Sequence, residues 1–416
     1  VNGDGHERAA VAGPGGIFRL IRDGIATTRA ELVDVTGLAR STVSQRVEAL
    51  LAHELVVPAG ESSSTGGRRP SMLAFNASAG VVLAADLGAT HCHAAVTDLA
   101  GDVVAETAYD IAIAEGAETI LPWLVSRFDE LLAEAGHRRE DVRGVGVGLP
   151  GPVEFASGRP VNPPLMPGWN DFRVGDYLRE ELGAPALVDN DVNVMAQGER
   201  WLNWRSTDHL LFVKVGTGIG CGIVAGGQIH RGADGAAGDL GHCRVRGADT
   251  TVCRCGNTGC LEAVAGGGAI AAQLTALGVE TVNAREVVAH VRVGQPDAVR
   301  LVRQAGRDLG DALTSIVNFF NPKVIVFGGE MAEADEQLLA GVREVVYQRS
   351  LPLATRNLGI VRSAAGPRAG VVGASVMVIE HILSPAVIDE ALDTHAAGVD
   401  AVGGAERVAL EPPAAA

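Results

Sequence analysis

Three cysteines crowd into the ten residues Cys253-Arg254-Cys255-Gly256-Asn257-Thr258-Gly259-Cys260-Leu261-Glu262, and Gly241-His242 stands just ahead, ten residues separating His242 from Cys253. One imidazole and three thiolates fill a tetrahedral Zn2+ site with no open position, so an ion held there is structural rather than catalytic. The competing reading is a set of buried, unligated thiols. Cys92, Cys221 and Cys243 lie outside this spacing and read as small apolar packing residues. Six cysteines with half of them in one loop suit a reducing compartment, and a cytoplasmic location is expected. A loop tied by metal would also bring Asp239 and Glu262 together, two carboxylates able to accept hydrogen bonds from neighbouring sugar hydroxyls.

A chain of 416 residues has room for two or three domains. Hydrophobic residues make up 47% and aromatics 4%, which predicts aliphatic cores and excludes a disordered or fibrous class. No apolar run is long enough to span a bilayer, so no membrane partner is expected. The net charge of −16 argues against a phosphate-rich partner for the chain as a whole. Residues 1 to 75 are the exception, with eight Arg against eight Asp or Glu, and this electrically distinct front leaves room for DNA contact.

Residues 1 to 14 read as a disordered start, and residues 15 to 76 as a separate domain. After a short helix around Ile17, Leu20 and Ile21, Thr28 and Glu31 form a capping-box pattern for a second helix ending at Gly37. A third helix from Arg40 to Leu51 puts Val43, Val47, Leu50 and Leu51 on one face. Arg40, Ser41, Thr42, Ser44, Gln45 and Arg46 are then offered to a major groove, the arrangement of a helix-turn-helix. Strands at 55–58 and 71–75 flank a polar loop, a wing whose tip presents Arg68 and Arg69 to phosphates or a minor groove. A generic three-helix packing module with a charged loop is the blander reading.

From Val81 onward strands alternate with helices, an α/β pattern. Two units are expected: a first lobe over 81–195, completed by a helix at 370–383, and a second over 196–369 carrying the cysteine loop. The tail from Ser384 is acidic and then rich in Ala, Gly and Pro, and reads as disordered. Strand, Gly/Thr turn, strand occurs twice, at Asp86-Leu87-Gly88-Ala89-Thr90 and at Gly216-Thr217-Gly218-Ile219-Gly220. Two such turns facing across a cleft suit a chain of phosphates, in the manner of an actin-like nucleotide clamp. Asp189-Asn190-Asp191-Val192-Asn193 falls where a strand gives way to a helix, the ligand-facing edge of an α/β sheet. There Asp191 could take a proton from a hydroxyl that Asn190 fixes, the alternative being plain helix capping.

These residues together resemble the ROK family (repressors, open reading frames and sugar kinases), most specifically through Gly241-His242 with Cys253-x-Cys255-Gly256-x-x-Gly259-Cys260-x-Glu262 and Asn190-Asp191-x-Asn193. With the winged helix in front, the whole resembles a ROK transcriptional regulator. The resemblance implies an actin-like (ribonuclease H-like), two-lobed α/β sugar-kinase fold preceded by an α+β winged helix-turn-helix. It implies structural zinc on His242, Cys253, Cys255 and Cys260, and sugar contacts from Asn190, Asp191, Asp239, His242 and Glu262, with Asp191 the base in kinase members. Asp86, Gly88, Thr90, Gly216, Thr217, Gly218, Gly328 and Gly329 match its nucleotide-binding segments. Three positions depart from the pattern: Ala89 and His91 replace a Gly and a Lys of the first phosphate turn, and Asp239 replaces a Glu. A methyl group in that turn hinders phosphate approach, and a mostly neutral imidazole replaces a fixed cation. The expectation is therefore a sugar-responsive repressor of carbohydrate-metabolism genes, a homodimer or homotetramer binding operator DNA, rather than an enzyme. The alternative is a glucokinase-like, ATP- and Mg2+-dependent sugar kinase with a DNA-binding accessory, and a zinc-stabilised assembly protein with no ligand is the third.

Overall fold

A computed structural model describes residues 13–61, 71–334 and 336–399. The front of the chain folds as helices α1 (Pro14–Arg22), α2 (Arg29–Thr36) and α3 (Arg40–Ala52), followed by the antiparallel pair β1 (Val56–Glu61) and β2 (Ser71–Phe75). The Thr28 capping box is formed: the Glu31 N–H donates to Thr28 Oγ1 at 3.3 Å, and Glu31 Oε2 accepts from the Thr28 N–H at 3.0 Å. The helix stops at Gly37, whose φ of +69° is a left-handed turn conformation that favours glycine. On α3, Val43, Val47 and Leu50 are buried against Ile17, Phe18 and Leu32, as the spacing predicts. Arg68 and Arg69 lie outside the described residues.

The first lobe is built on β3 (Val81–Leu87), β4 (His91–Asp98), β5 (Val103–Asp110), α4 (Ala117–Glu134), β6 (Val142–Leu149), the short pair β7 (Val153–Glu154) and β8 (Arg159–Pro160), α5 (Val174–Leu182) and β9 (Ala186–Asn190). Its sheet runs β5-β4-β3-β6-β9, with the β3–β4–β5 pairings antiparallel and the β3–β6–β9 pairings parallel. Helix α6 (Asp191–Asn203) leads to the second lobe, with β10 (Leu210–Val215), β11 (Ile219–Ala225), β12 (Gln228–Ile229), α7 (Leu261–Ala265), α8 (Gly267–Ala276), α9 (Ala284–Arg292), α10 (Pro296–Phe320), β13 (Val324–Gly328), α11 (Glu336–Arg349), α12 (Pro352–Thr355) and β14 (Gly359–Arg362). That sheet runs β12-β11-β10-β13-β14 with the same pattern of antiparallel and parallel pairs. The two lobes are one topology used twice, which is the two-lobed actin-like α/β fold.

Helix α13 (Arg368–Ile382) joins the parts. It is buried along nearly its whole length, which accounts for a sequence that from Ala369 to Ile379 is broken only by Ser375. It crosses α6 with the backbones almost touching: a Cβ on Gly198 would lie 1.9 Å from the Ala369 carbonyl oxygen, and one on Gly373 would lie 1.7 Å from that of Val194. Its far end, with Val378, Ile379 and Ile382, enters the core of the winged helix.

One sequence expectation fails here. The stretch after Ser384 is not disordered throughout, because Pro385–Val399 forms a further helix, α14. Ile388 and Leu392, one helical turn apart, are buried in the winged-helix core, and Asp389 Oδ1 accepts from the Gly15 N–H at 2.7 Å. The partner of this helix is the opposite end of the chain, which composition and local periodicity cannot reveal. Among the described residues no single helix is long and apolar enough to cross a membrane.

Candidate functional site

The ligating atoms of His242, Cys253, Cys255 and Cys260 all lie within 4.8 Å of one another. Tetrahedral bonds of about 2.3 Å from zinc to sulfur place two sulfurs about 3.8 Å apart. Cys255 Sγ and Cys260 Sγ are 3.7 Å apart, and Cys253 Sγ is 3.7 Å from His242 Nδ1. The donor set and its spacing therefore fit Zn2+. Nδ1 faces the sulfurs while Nε2 points away, 3.9 Å from Asp239 Oδ1, so one ring has a nitrogen for the metal and another for the cleft. Asp239 and Glu262 have separate surroundings: the Asp239 side chain is 58% exposed, while Glu262 Oε2 accepts from the Ile219 N–H at 3.1 Å. Glu262 thereby ties the metal loop to the second Gly-rich turn. Of the other thiols, Cys92 and Cys221 are buried, and burial pushes both up to about 12, but Cys243 is exposed and is not the packing residue expected.

At the end of β9 the Asp-Asn-Asp-x-Asn segment divides its labour. Asp189 Oδ1 accepts from the Asn193 side chain at 2.9 Å, and Asp189 Oδ2 lies 2.8 Å from Arg231 Nε. The Arg231 guanidinium lies over the Phe155 ring at 3.7 Å. Asn190 caps α6, its Oδ1 accepting from the Val192 N–H at 3.0 Å, and it also donates to the Gly151 carbonyl at 2.8 Å. The capping alternative is thus realised, with one amide N–H left over. Asp191 reaches across the lobes to Lys214 on β10, Nζ to Oδ2 at 2.5 Å. Lys214 was not among the residues singled out from sequence; a lone lysine in the apolar strand Leu-Leu-Phe-Val-Lys-Val was the signal.

The Gly-rich turns close on themselves. The Gly88 N–H donates to the His91 carbonyl at 2.8 Å, and the Gly216 N–H to the Gly218 carbonyl at 2.9 Å. Burial first, and the neighbouring Lys214 ammonium second, hold the His91 imidazole below its ordinary range, so it is no substitute for a fixed cation. Asp86 is 5% exposed, its Oδ1 lacks a hydrogen-bond partner among the described residues, and burial pushes it up to about 6. Thr90 is exposed, Thr217 is half-buried, Gly328 ends β13, and Gly329 follows it against the backbone of Val215. An imidazole in place of a fixed cation and an Asp191 already held by Lys214 do not fit Mg2+ and ATP.

On the winged helix, Arg40, Ser41 and Gln45 are exposed and Thr42 and Ser44 half-buried. Arg46 departs from expectation: it is half-buried, and its Nη1 is enclosed without a partner among the described residues.

The ROK family model matches residues 82–381. The chain belongs to the ROK family. It is 32% identical to a putative xylose repressor of Caldicellulosiruptor sp. (strain Rt8B.4), over 88% of this chain and 95% of that one. It is 31% identical to a glucokinase of Halalkalibacterium halodurans, over 70% of this chain and 93% of that one. A solved ROK family transcriptional regulator, a homolog of the E. coli MLC protein, superposes with a TM-score of 0.77 at 26% identity, covering 91% of this chain and 97% of its own. The repressor and regulator alignments span more of this chain than does the kinase alignment. In this ROK chain the metal ligands converge as a unit, whereas the sugar-contact candidates are spread over β9, α6 and the metal loop.

Proposed function

We propose that this chain is a sugar-responsive, DNA-binding transcriptional repressor of carbohydrate-metabolism genes. The observation that carries the reading is the course of α13. Near its start, the space a Gly370 Cβ would fill is taken by Asp86 of the cleft, with Oδ2 at 2.0 Å. At its end, Ile379, Ile382 and Leu383 belong to the winged-helix core. A change in lobe closure that moves Asp86 or α6 must be accommodated by a helix that also packs the DNA-binding head, and interfaces this tightly packed respond by shifting between discrete arrangements.

Sugar would lie between the α6 start and the metal loop, with Asp191, the spare Asn190 N–H, Asp239, His242 Nε2 and Glu262 as hydrogen-bonding groups. Zinc on His242 and the three cysteines would supply rigidity to that loop. A sugar that prefers one lobe arrangement shifts the population of the head's DNA-competent state. The head would act as part of a two-fold assembly, because two recognition helices must meet half-sites on one face of DNA. Phe319 at the end of α10, 95% exposed, with Leu351 and Leu353 on the neighbouring segment, supports a self-association face.

The test is an electrophoretic mobility shift on the chain's own promoter region, with xylose, glucose and N-acetylglucosamine as ligands. A sequence-selective shift that one of them changes is expected, and Arg40→Ala should weaken selective binding by ~1 to 3 kcal/mol if Arg40 reads a base edge. An equal loss on random DNA would place Arg40 on phosphate, and no selective shift under any sugar condition would remove the repressor reading. ADP release with the same sugars tests the kinase alternative.

A further inference from the structure

Of the 34 basic residues in this protein only Lys214 and Lys323 are lysines. Lys214 is placed on the central strand β10, and its cross-strand neighbours on both sides, Gly220 on β11 and Gly328 on β13, have no side chains to crowd its stem. The ammonium lies 2.5 Å from Asp191 Oδ2, with the two side chains only 19% and 9% exposed. Asp86, buried and with an unpartnered Oδ1, is within the electrostatic reach of the same ammonium. The other nearby carboxylate, Glu330, is already held by Arg285, Nε to Oε1 at 2.9 Å. One ammonium on the second lobe therefore faces two neighbouring carboxylates of the first across a sheltered cleft. A planar, forked guanidinium would dock on one carboxylate in two-point fashion, whereas a compact ammonium is the side chain closest in shape to a bound cation.

We propose that Lys214 is a built-in counter-cation between Asp86 and Asp191, so that the cleft takes its sugar with neither a divalent ion nor ATP and Asp191 acts there only as a hydrogen-bond acceptor. The inference rests on the sensor reading above and deepens it: a sensor has to release its sugar unchanged. For Asp191 to take a hydroxyl proton it would have to give up its charge beside the ammonium, and that pairing makes it a weaker base. Its second oxygen stays available to accept a sugar hydroxyl.

The probe is Mn2+, an oxygen-seeking ion that stands in for Mg2+ and whose free form is followed by electron paramagnetic resonance. It is titrated into the full-length protein after elemental analysis has verified the zinc content. The wild-type cleft is expected to take up no Mn2+ at millimolar concentration. Lys214→Met should gain one site at least about ten-fold tighter than any wild-type uptake, and adding Asp191→Asn should abolish it. Wild-type uptake that Asp191→Asn removes, or a folded Lys214→Met protein with no gained site, overturns the proposal. Should Lys214→Met not fold, the wild-type and Asp191→Asn titrations decide by themselves, absence of an Asp191-dependent site supporting the proposal. Sugar-controlled operator binding is measured on the same wild-type preparation. Its loss defeats the sensor reading whatever Mn2+ does, and an Mn2+ site defeats the role of Lys214 whatever the operator does.

Discussion

At the residue scale the costliest group in the cleft is Asp86. Burial pushes it from 3.8 to about 6, with Lys214 opposing the rise and Asp191 adding to it. Because the folded value lies above the unfolded one, the native state holds the extra proton between about pH 4 and 6. Stability accordingly falls as pH rises through that window and stays lower above it, by about 3 kcal/mol for a shift of this size. Asp86→Asn keeps the shape without the charge. It should raise stability at pH 7.5 by up to about 3 kcal/mol and flatten the slope between pH 4 and 6 in urea unfolding; an unaltered slope would mean that the charge is accommodated some other way. Asp86, Asp191 and the four metal ligands were legible in the sequence because each sits in a short pattern whose spacing follows from its chemistry. Lys214 was not, since its partner belongs to the other lobe and no local pattern ties Val-Lys-Val to Asn190-Asp191.

At the element scale the winged helix could be read almost entirely from local signals: the Thr28 capping box, the Gly37 stop and the Val43, Val47, Leu50 face all concern neighbours in sequence. Helix α14 shows the limit of that reading. Its buried residues are few, and what they pack against comes from α1 and α13. Truncating a fully buried isoleucine costs about 2 to 5 kcal/mol. Ile388→Ala should therefore weaken the head selectively, lowering operator affinity in mobility-shift titrations while sugar affinity measured by calorimetry stays within a factor of about two. A parallel loss of sugar binding would show that α14 supports the lobes as well.

At the scale of the whole molecule the metal loop and the DNA-binding head are built on separate cores. The second-lobe core contains Leu240 and Leu261 beside the metal ligands, whereas the head's core draws on α1, α3, α13 and α14. Removing zinc should lower the melting temperature of the lobes and weaken sugar binding at least about ten-fold, because His242 Nε2 and the Glu262 tie to Ile219 lose their anchor, while sugar-free operator binding persists. Unchanged sugar affinity in verified metal-free protein would contradict that link. The duplicated sheet order was visible beforehand as the repeated Gly/Thr turns, but the shared helix between head and lobes was not, since it depends on contacts nearly the length of the chain apart. That shared core has a consequence for biosynthesis. Ile17 and Leu392 pack in the same cluster, so a segment translated ahead of the lobes waits for one translated after them before its interior is closed. A nascent polypeptide cannot occupy promoters with a finished reading head before the lobes that govern it have been translated.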